Sequence, residues 1–231
     1  MSTPSSSNRE DLERICERYR QLYAGVIYDV LEHLGLPNQV LSHKIMPLTP
    51  EMKLAGPAFT VKGTSTEERD ETVRYKRLKM ISEMPHPCVE VRDCGTPFAV
   101  AIYGELSATS AEAHGAVGAL IDGGTRDSSK LISMAFPVFA RYRCPIEAFG
   151  RWAMMDYQVP IRLSGELTNG VQVNPGDFIF GDYDGVLVIP KDQTIEVLLE
   201  CEHVTGIEDL ARGEFARGDD PVEVFERHKR L

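Results

Sequence analysis

The sequence predicts an α/β protein, one domain framed by helices at its N- and C-terminal ends. Three observations predict it. Two short apolar runs, residues 98–102 (FAVAI) and 116–121, flank an Ala- and Glu-rich segment, giving the order strand, helix, strand. Between residues 170 and 189, short apolar runs alternate with turns bearing Gly, Pro and Asp, the pattern of closely spaced strands. Apolar residues at helical spacing recur near both ends of the chain.

Taken in order, residues 1–8 are polar and expected to be a disordered lead-in, with residues 9–231 forming the domain. Leu12, Ile15, Tyr19 and Leu22 place a helix over residues 9–23. A second helix is expected over 25–34, stopped by Gly35 and Pro37. Asp29 lies inside it, where aspartate is mildly unfavourable. Residues 54–63 alternate like a strand and end at Gly63. Residues 64–80 are dense in charge and read as a solvated helix, or as a basic face directed at an acidic substrate. Pro85, His86 and Pro87 mark a loop before a strand at 88–91. Further on, 128–135 reads as a helix, 137–142 (PVFARY) as a strand and 161–163 as a short strand. Strands at 170–173, 178–180 and 186–189 follow, joined by turns at Pro175-Gly-Asp177 and Gly181-Asp-Tyr-Asp-Gly185. Asp182 and Asp184 lack the other ligands of a calcium loop and read as turn residues. A long amphipathic helix spans 192–212 through Ile195, Leu198, Leu199, Ile207 and Leu210, and a short one ends the chain at 221–231.

The central unit carries the chemistry. Gly104 breaks the first apolar run, residues 106–114 favour helix, and Gly115 stands where a helix C-cap would. The second run is closed by Asp122-Gly-Gly124 and leads to Thr125-Arg-Asp127. The backbone amides of Leu106 and Ser107 then lie at a helix N-terminus, able to receive an anion. A parallel βαβ unit puts both strand ends on one edge, so Glu105 meets Arg126 and Asp127 across 20 intervening residues. Two carboxylates, a guanidinium and two amides suit a small 2-oxo acid held on a divalent metal. Asp127 before Ser128-Ser-Lys is equally a helix N-cap, and Arg126 can pair with any nearby carboxylate, so the local pattern leaves both readings open.

Composition narrows the classes. The formal net charge is −10, with no basic tract to offset it, which argues against nucleic-acid binding. Five cysteines, without a C-x-x-C pair, suggest a reducing compartment; Cys94 and Cys144 read as small buried hydrophobes. No run approaches the length of a membrane span, so a soluble cytoplasmic protein is expected. The six histidines form no H-x-H or H-E-x-x-H, and no glycine-rich nucleotide loop or G-x-S-x-G elbow is present. What survives is an oxygen-ligand site for Mg²⁺ or Mn²⁺.

Gly104-Glu105-Leu106, the following Arg126-Asp127, Pro175-Gly-Asp177 and Asp182-Tyr-Asp-Gly-Val-Leu-Val-Ile-Pro190 together resemble the RraA-like family, from about Gly25 onward. That family includes the class II 4-hydroxy-4-methyl-2-oxoglutarate/4-carboxy-4-hydroxy-2-oxoadipate aldolases. The resemblance implies an α/β/β swivelling-type fold, trimers or hexamers with active sites between subunits, and a metal-dependent lyase. Such a lyase would cleave a 4-hydroxy-2-oxo acid to pyruvate and a second oxo acid or aldehyde, and would decarboxylate oxaloacetate. By the same resemblance Asp127 binds the metal, Glu105 holds a metal-bound water, and Arg126 with the Leu106 and Ser107 amides binds the pyruvoyl group. Asp29 and Glu208 match acidic residues that reach the site from a neighbouring subunit. Glu105 stands where those aldolases carry Asp, and residues 64–80 depart from the family pattern. The alternative within the family is a non-enzymatic, protein-binding regulator of ribonuclease E. A menaquinone-type methyltransferase lacks support, since no glycine-rich methyl-donor loop is present.

Overall fold

The computed structural model of the chain describes residues 6–95 and 100–229. Residues 98 and 99 of the expected FAVAI strand, residues 1–5 of the lead-in and the last two of the C-terminal helix lie outside them. Two helices, α1 (Ser6–Arg20) and α2 (Ala24–His33), come first. Then follow β1 (Met46–Pro47), β2 (Leu54–Ser65), α3 (Glu71–Ser82), β3 (Cys88–Asp93), β4 (Ala101–Tyr103), α4 (Glu105–His114), β5 (Ala116–Thr125) and α5 (Ser128–Ser133). The second half holds β6 (Val138–Arg143), β7 (Trp152–Tyr157), β8 (Ile161–Leu163), β9 (Val171–Val173), β10 (Phe178–Asp182), β11 (Gly185–Ile189), α6 (Thr194–Ala216) and α7 (Pro221–His228).

The centre is a mixed sheet in the order β1-β6-β5-β3-β2-β10-β11, with β4 added to β5 and β7 to β2. β2, β3, β5, β6 and β4 pair in parallel, while β10, β11, β7 and β1 are antiparallel additions. Ala119, Leu120 and Ile121 of β5 are wholly buried, as the middle strand of a parallel sheet covered on both faces must be. One core packs around these strands. A second joins α1, α2 and α6 to the β10–β11 hairpin through Ile27, Leu31, Phe178, Phe180 and Leu198. Within it Tyr19 stacks on Phe178 at 4.3 Å and its hydroxyl donates to the Thr194 carbonyl.

Several boundaries differ from the sequence expectation. The first helix starts at Ser6, inside the expected lead-in. The charged helix starts later, at Glu71, capped by Asp70, whose carboxylate accepts the Thr72 amide; Thr64 and Ser65 belong to β2. β7 was not anticipated, because its residues do not alternate in polarity. The main correction concerns Asp122-Gly-Gly124, which is not a turn but the continuing strand. Its glycines answer close approach: a Cβ on Gly123 would come within 2.9 Å of Cys94 Sγ, and one on Gly124 would strike the Tyr142 ring.

That continuation positions the site. β3 pairs with β5 as far as Asp93 opposite Asp122, and β4 then takes over, Tyr103 opposite Thr125. β4 and β5 therefore end together on one sheet edge, one feeding α4 and the other α5.

Candidate active site

Gly104 and Asp127 are the two residues at which these strands become helices. The Arg126 amide donates to the Tyr103 carbonyl at 2.9 Å, locking the two turns side by side. Asp127 occupies the N-cap position of α5 but makes no side-chain cap; its backbone is left-handed, φ 56° and ψ 31°. Its carboxylate turns across the gap instead, where Oδ2 accepts the Glu105 amide at 3.3 Å and lies 3.5 Å from Arg126 Nε. The helix-cap reading of the sequence is thus not realised at α5: the carboxylate faces the positive N-terminus of the other helix instead.

Gly104 makes this approach possible. A Cβ there would fall 2.7 Å from Asp127 Oδ2 and 3.1 Å from Arg126 Cγ. The Leu106 amide has no acceptor among the described residues, whereas the Ser107 amide donates to the Gly104 carbonyl at 3.1 Å. That bond tightens the first turn of α4, so the expectation of two open amides reduces to one. Arg126, Asp127, Gly104, Leu106 and Ser107 all line one cavity of about 290 Å³.

Glu105 is placed differently from its neighbours. Its amide touches Asp127, but its carboxylate lies in a separate shallow groove, 3.7 Å from Lys130 Nζ and 3.4 Å from the Thr109 hydroxyl. Asp29 and Glu208 do not line the cavity in this chain. Asp29 is exposed on α2. Glu208, on α6, accepts a hydrogen bond from the Tyr23 hydroxyl. Burial and that carboxylate push the Tyr23 phenol up to about 12.

The other walls of the cavity come from residues that the sequence reading did not assign to it. Val73, Arg74 and Arg77 of α3 form one side, and Glu147, Phe149, Trp152 and Met154 another. Arg74 stacks on Phe149, its guanidinium carbon 4.4 Å from the ring centroid. Beneath them Glu90 and Arg92 are fully buried, with Arg92 Nε donating to Glu90 at 2.7 Å and Nη1 to the Ile102 carbonyl at 2.6 Å. Arg92 also lies 4.8 Å from the Tyr103 ring centroid, holding the strand that ends at Gly104. The signal was present in Glu90-Val-Arg92: charges at i and i+2 share one face of a strand, and both point inward.

Two carboxylates, Asp127 and Glu105, are the hard-oxygen donors near this turn. No group of three or more His, Cys, Asp or Glu able to hold a metal forms among the described residues. The donor chemistry fits a cation of the Mg²⁺ or Mn²⁺ kind, which keeps most of its waters, and does not fit zinc. No described helix is long and apolar enough to cross a membrane.

The RraA-like profile (Aldolase/RraA) matches residues 24–188. Protein DlpA of Legionella pneumophila is 33% identical over 174 residues, 74% of this chain, and the chain spans 27% of that protein's length. A Halalkalibacterium halodurans protein provisionally named 4-hydroxy-4-methyl-2-oxoglutarate aldolase is 33% identical over 185 residues, 80% of each chain. A solved structure described under novel cellulases from gut-associated microbes matches with a TM-score of 0.79 and 32% identity, covering 90% of this chain and 89% of its own. Streptomyces coelicolor RraAS2, described as an unusual member of the RNase ES inhibitor RraA family, matches with a TM-score of 0.73, covering 92% and 98%. At 20% identity that last likeness concerns the fold alone.

Proposed function

This chain belongs to the RraA-like family, and from that premise we propose that it is a carbon–carbon lyase acting on a 2-oxo acid with the help of a divalent cation. The observation that carries the proposal is the Asp127 carboxylate, turned away from its own helix toward Arg126 and the α4 N-terminus at the mouth of a cavity. The carboxylate leaves its own helix uncapped and makes only one long backbone contact among the described residues, at 3.3 Å to the Glu105 amide. It sits where a cation and an oxo acid can both reach it.

In this reading Arg126 forks onto the substrate carboxylate, and the Leu106 amide donates to the same end. Asp127 holds the cation, with Glu105 as the second candidate ligand. When bound there, the cation supplies Lewis-acid polarisation of the 2-oxo group. In retro-aldol cleavage the bond between C3 and C4 breaks and the 4-hydroxyl loses its proton to become a carbonyl. The electron pair passes to C3, giving the enolate of pyruvate, which is then protonated. Arg126 places positive charge beside that developing enolate. Trp152, Phe149 and Met154 supply the apolar part of the cavity wall.

The test is pyruvate release from oxaloacetate and from 4-hydroxy-4-methyl-2-oxoglutarate with Mg²⁺ or Mn²⁺ present. Chelator should abolish it and added metal restore it. Turnover undiminished in chelator would remove the cation from this reading, and no turnover with either substrate would remove the lyase itself and leave protein binding as the family role to pursue.

A further inference from the structure

Under the cavity lies an ion pair that stability alone does not explain. Glu90 and Arg92 of β3 are wholly enclosed, and Arg92 brings both Nε and Nη2 to one Glu90 oxygen, Oε1, at 2.7 and 2.6 Å. The other oxygen, Oε2, is buried without a hydrogen-bond partner among the described residues, and so is the Tyr103 hydroxyl. Two charges withdrawn from water and only partly satisfied stabilise a core no better than apolar residues of similar volume. A sheet interior that needed only filling would hold such residues here.

What the pair holds is the end of β4. In the register of β4 on β5, Ala101 faces Gly124 and Tyr103 faces Thr125, so Ile102 is an extra residue with no partner of its own. Arg92 Nη1 donates to the Ile102 carbonyl at 2.6 Å, a side chain standing in for a neighbouring strand. Its guanidinium carbon also lies 4.8 Å from the Tyr103 ring centroid and 5.7 Å from that of Trp152, two rings that line the cavity. A bulge bends its strand, and β4 has only three residues, so its end needs an outside hold. The start of β4 is tied elsewhere, where the Ala101 amide donates to the Ile146 carbonyl at 2.9 Å. From Ile102 the path to the site is short. The Tyr103 carbonyl accepts the Arg126 amide at 2.9 Å and the Thr125 hydroxyl at 3.3 Å, and Gly104 then abuts the Asp127 carboxylate.

We infer that Arg92, aimed by Glu90, is a positioning residue: it fixes the bulge of β4 and, through it, the spacing of Gly104, Arg126 and Asp127. Both side chains are fully buried and act through the backbone above them, without touching substrate. That the turn so fixed is a reaction centre rests on the proposed function; that Arg92 fixes it does not.

Two variants test this. Arg92→Lys keeps a buried charge pair but offers a single nitrogen, which cannot fork between Glu90 and the Ile102 carbonyl. Glu90→Leu combined with Arg92→Met removes the pair and the tie together and strands no buried charge, so it should fold even where Arg92→Lys does not. Amide hydrogen exchange followed by NMR reads the turn without any need of activity. In each variant the Arg126 amide should speed up, relative to the wild type, at least about tenfold more than the Leu120 amide in the middle of β5. In pyruvate release, kcat per folded molecule should fall about a hundredfold, the effect of a displacement of order 1 Å, with KM within about threefold of wild type. A residue that only filled the core would change the folded fraction and leave kcat per folded molecule alone. Arg126 exchange that rises no more than that of Leu120 overturns the inference. So does faster Arg126 exchange with kcat per folded molecule within about twofold of wild type. A wild type that releases no pyruvate removes the lyase reading, and the exchange rates then decide by themselves whether Arg92 holds the turn.

Discussion

Gly104→Ala separates function from stability through one added atom. Gly104 has φ −163° and ψ −178°, extended backbone that alanine adopts without strain. What the new Cβ meets is the site: Asp127 Oδ2 at 2.7 Å and Arg126 Cγ at 3.1 Å. The carboxylate must move, and it can, because it ends a short side chain that is 40% exposed. The stability cost therefore sits at the low end of overpacking, about 1 kcal/mol. For a chain of this size that is roughly 2–4 °C in Tm. The functional cost is larger. The same movement breaks the 3.3 Å contact with the Glu105 amide and shifts Asp127 relative to Arg126. A misplacement of the order of 1 Å costs roughly a hundredfold in rate, about 2.7 kcal/mol of barrier. Gly118→Ala is the control. Its Cβ would strike Leu54 and come within 2.9 Å of the Pro137 carbonyl oxygen, far from the site. It should lose about 1–3 kcal/mol of stability with turnover per folded molecule near wild type. Pyruvate release and thermal melts on the two variants decide the matter. Gly104→Ala turnover within about twofold of wild type would refute the reasoning.

Arg126→Lys should lose about 2–5 kcal/mol in kcat/KM, since a point charge does not reproduce the planar fork; a value within about threefold of wild type would show that the clamp is unimportant. For Tyr23, the folded-state pKa of about 12 lies above the ordinary 10.0, so its contribution to stability is complete below pH 10 and is lost as pH rises through 12. Tyr23→Phe should thus be about 1 kcal/mol less stable at pH 9, with the gap in denaturant midpoints closing by pH 12; a constant gap would contradict the assignment. If Asp29 and Glu208 serve a neighbouring subunit's site, inactive Asp127→Ala and inactive Glu208→Ala proteins should regain partial activity when denatured and refolded together. Mixed oligomers, confirmed by mass, that stay inactive would confine Glu208 to its bond with Tyr23.

What the sequence made legible was whatever depends on local periodicity and chain direction. Two apolar runs around a helix force parallel strands, and parallel strands force Glu105 and Arg126-Asp127 to one edge. The motifs that pointed to the family divide in two once their contacts are known. Asp177 accepts the amides of Asn174 and Lys191 at 2.7 and 3.0 Å, and Asp182 accepts those of Ala24 and Asp184 at 2.8 and 2.9 Å. Both carboxylates are consumed by backbone and hold turns and the start of α2. They identify the fold and say nothing of chemistry. Arg77 was illegible for the opposite reason. Charge density in residues 64–80 left a solvated helix and a basic face toward an acidic substrate both open, and only the packing of α3 against α4 and β7 shows that Arg74 and Arg77 are the arginines lining the cavity. The direction of the Glu105 carboxylate was likewise set by Lys130, a residue on a different helix.

The strain at Asp127 supplies an independent argument that this residue is functional. A left-handed aspartate costs about 1 kcal/mol or more, and an N-cap side chain that does not cap forgoes roughly another 1 kcal/mol. Its contacts with Glu105 and Arg126, at 3.3 and 3.5 Å and partly exposed, return little. Asp127→Gly removes the left-handed strain, loses those weak contacts and adds some unfolded-state entropy. These changes nearly cancel, so its stability should lie within about 1 kcal/mol of wild type. Activity should fall by at least about a hundredfold, because the carboxylate facing the cavity is gone. The measurement is a denaturant titration beside the pyruvate assay. A protein destabilised by more than about 3 kcal/mol that still turns over normally per folded molecule would make Asp127 a structural residue, and the cavity beside it would need another ligand for its cation.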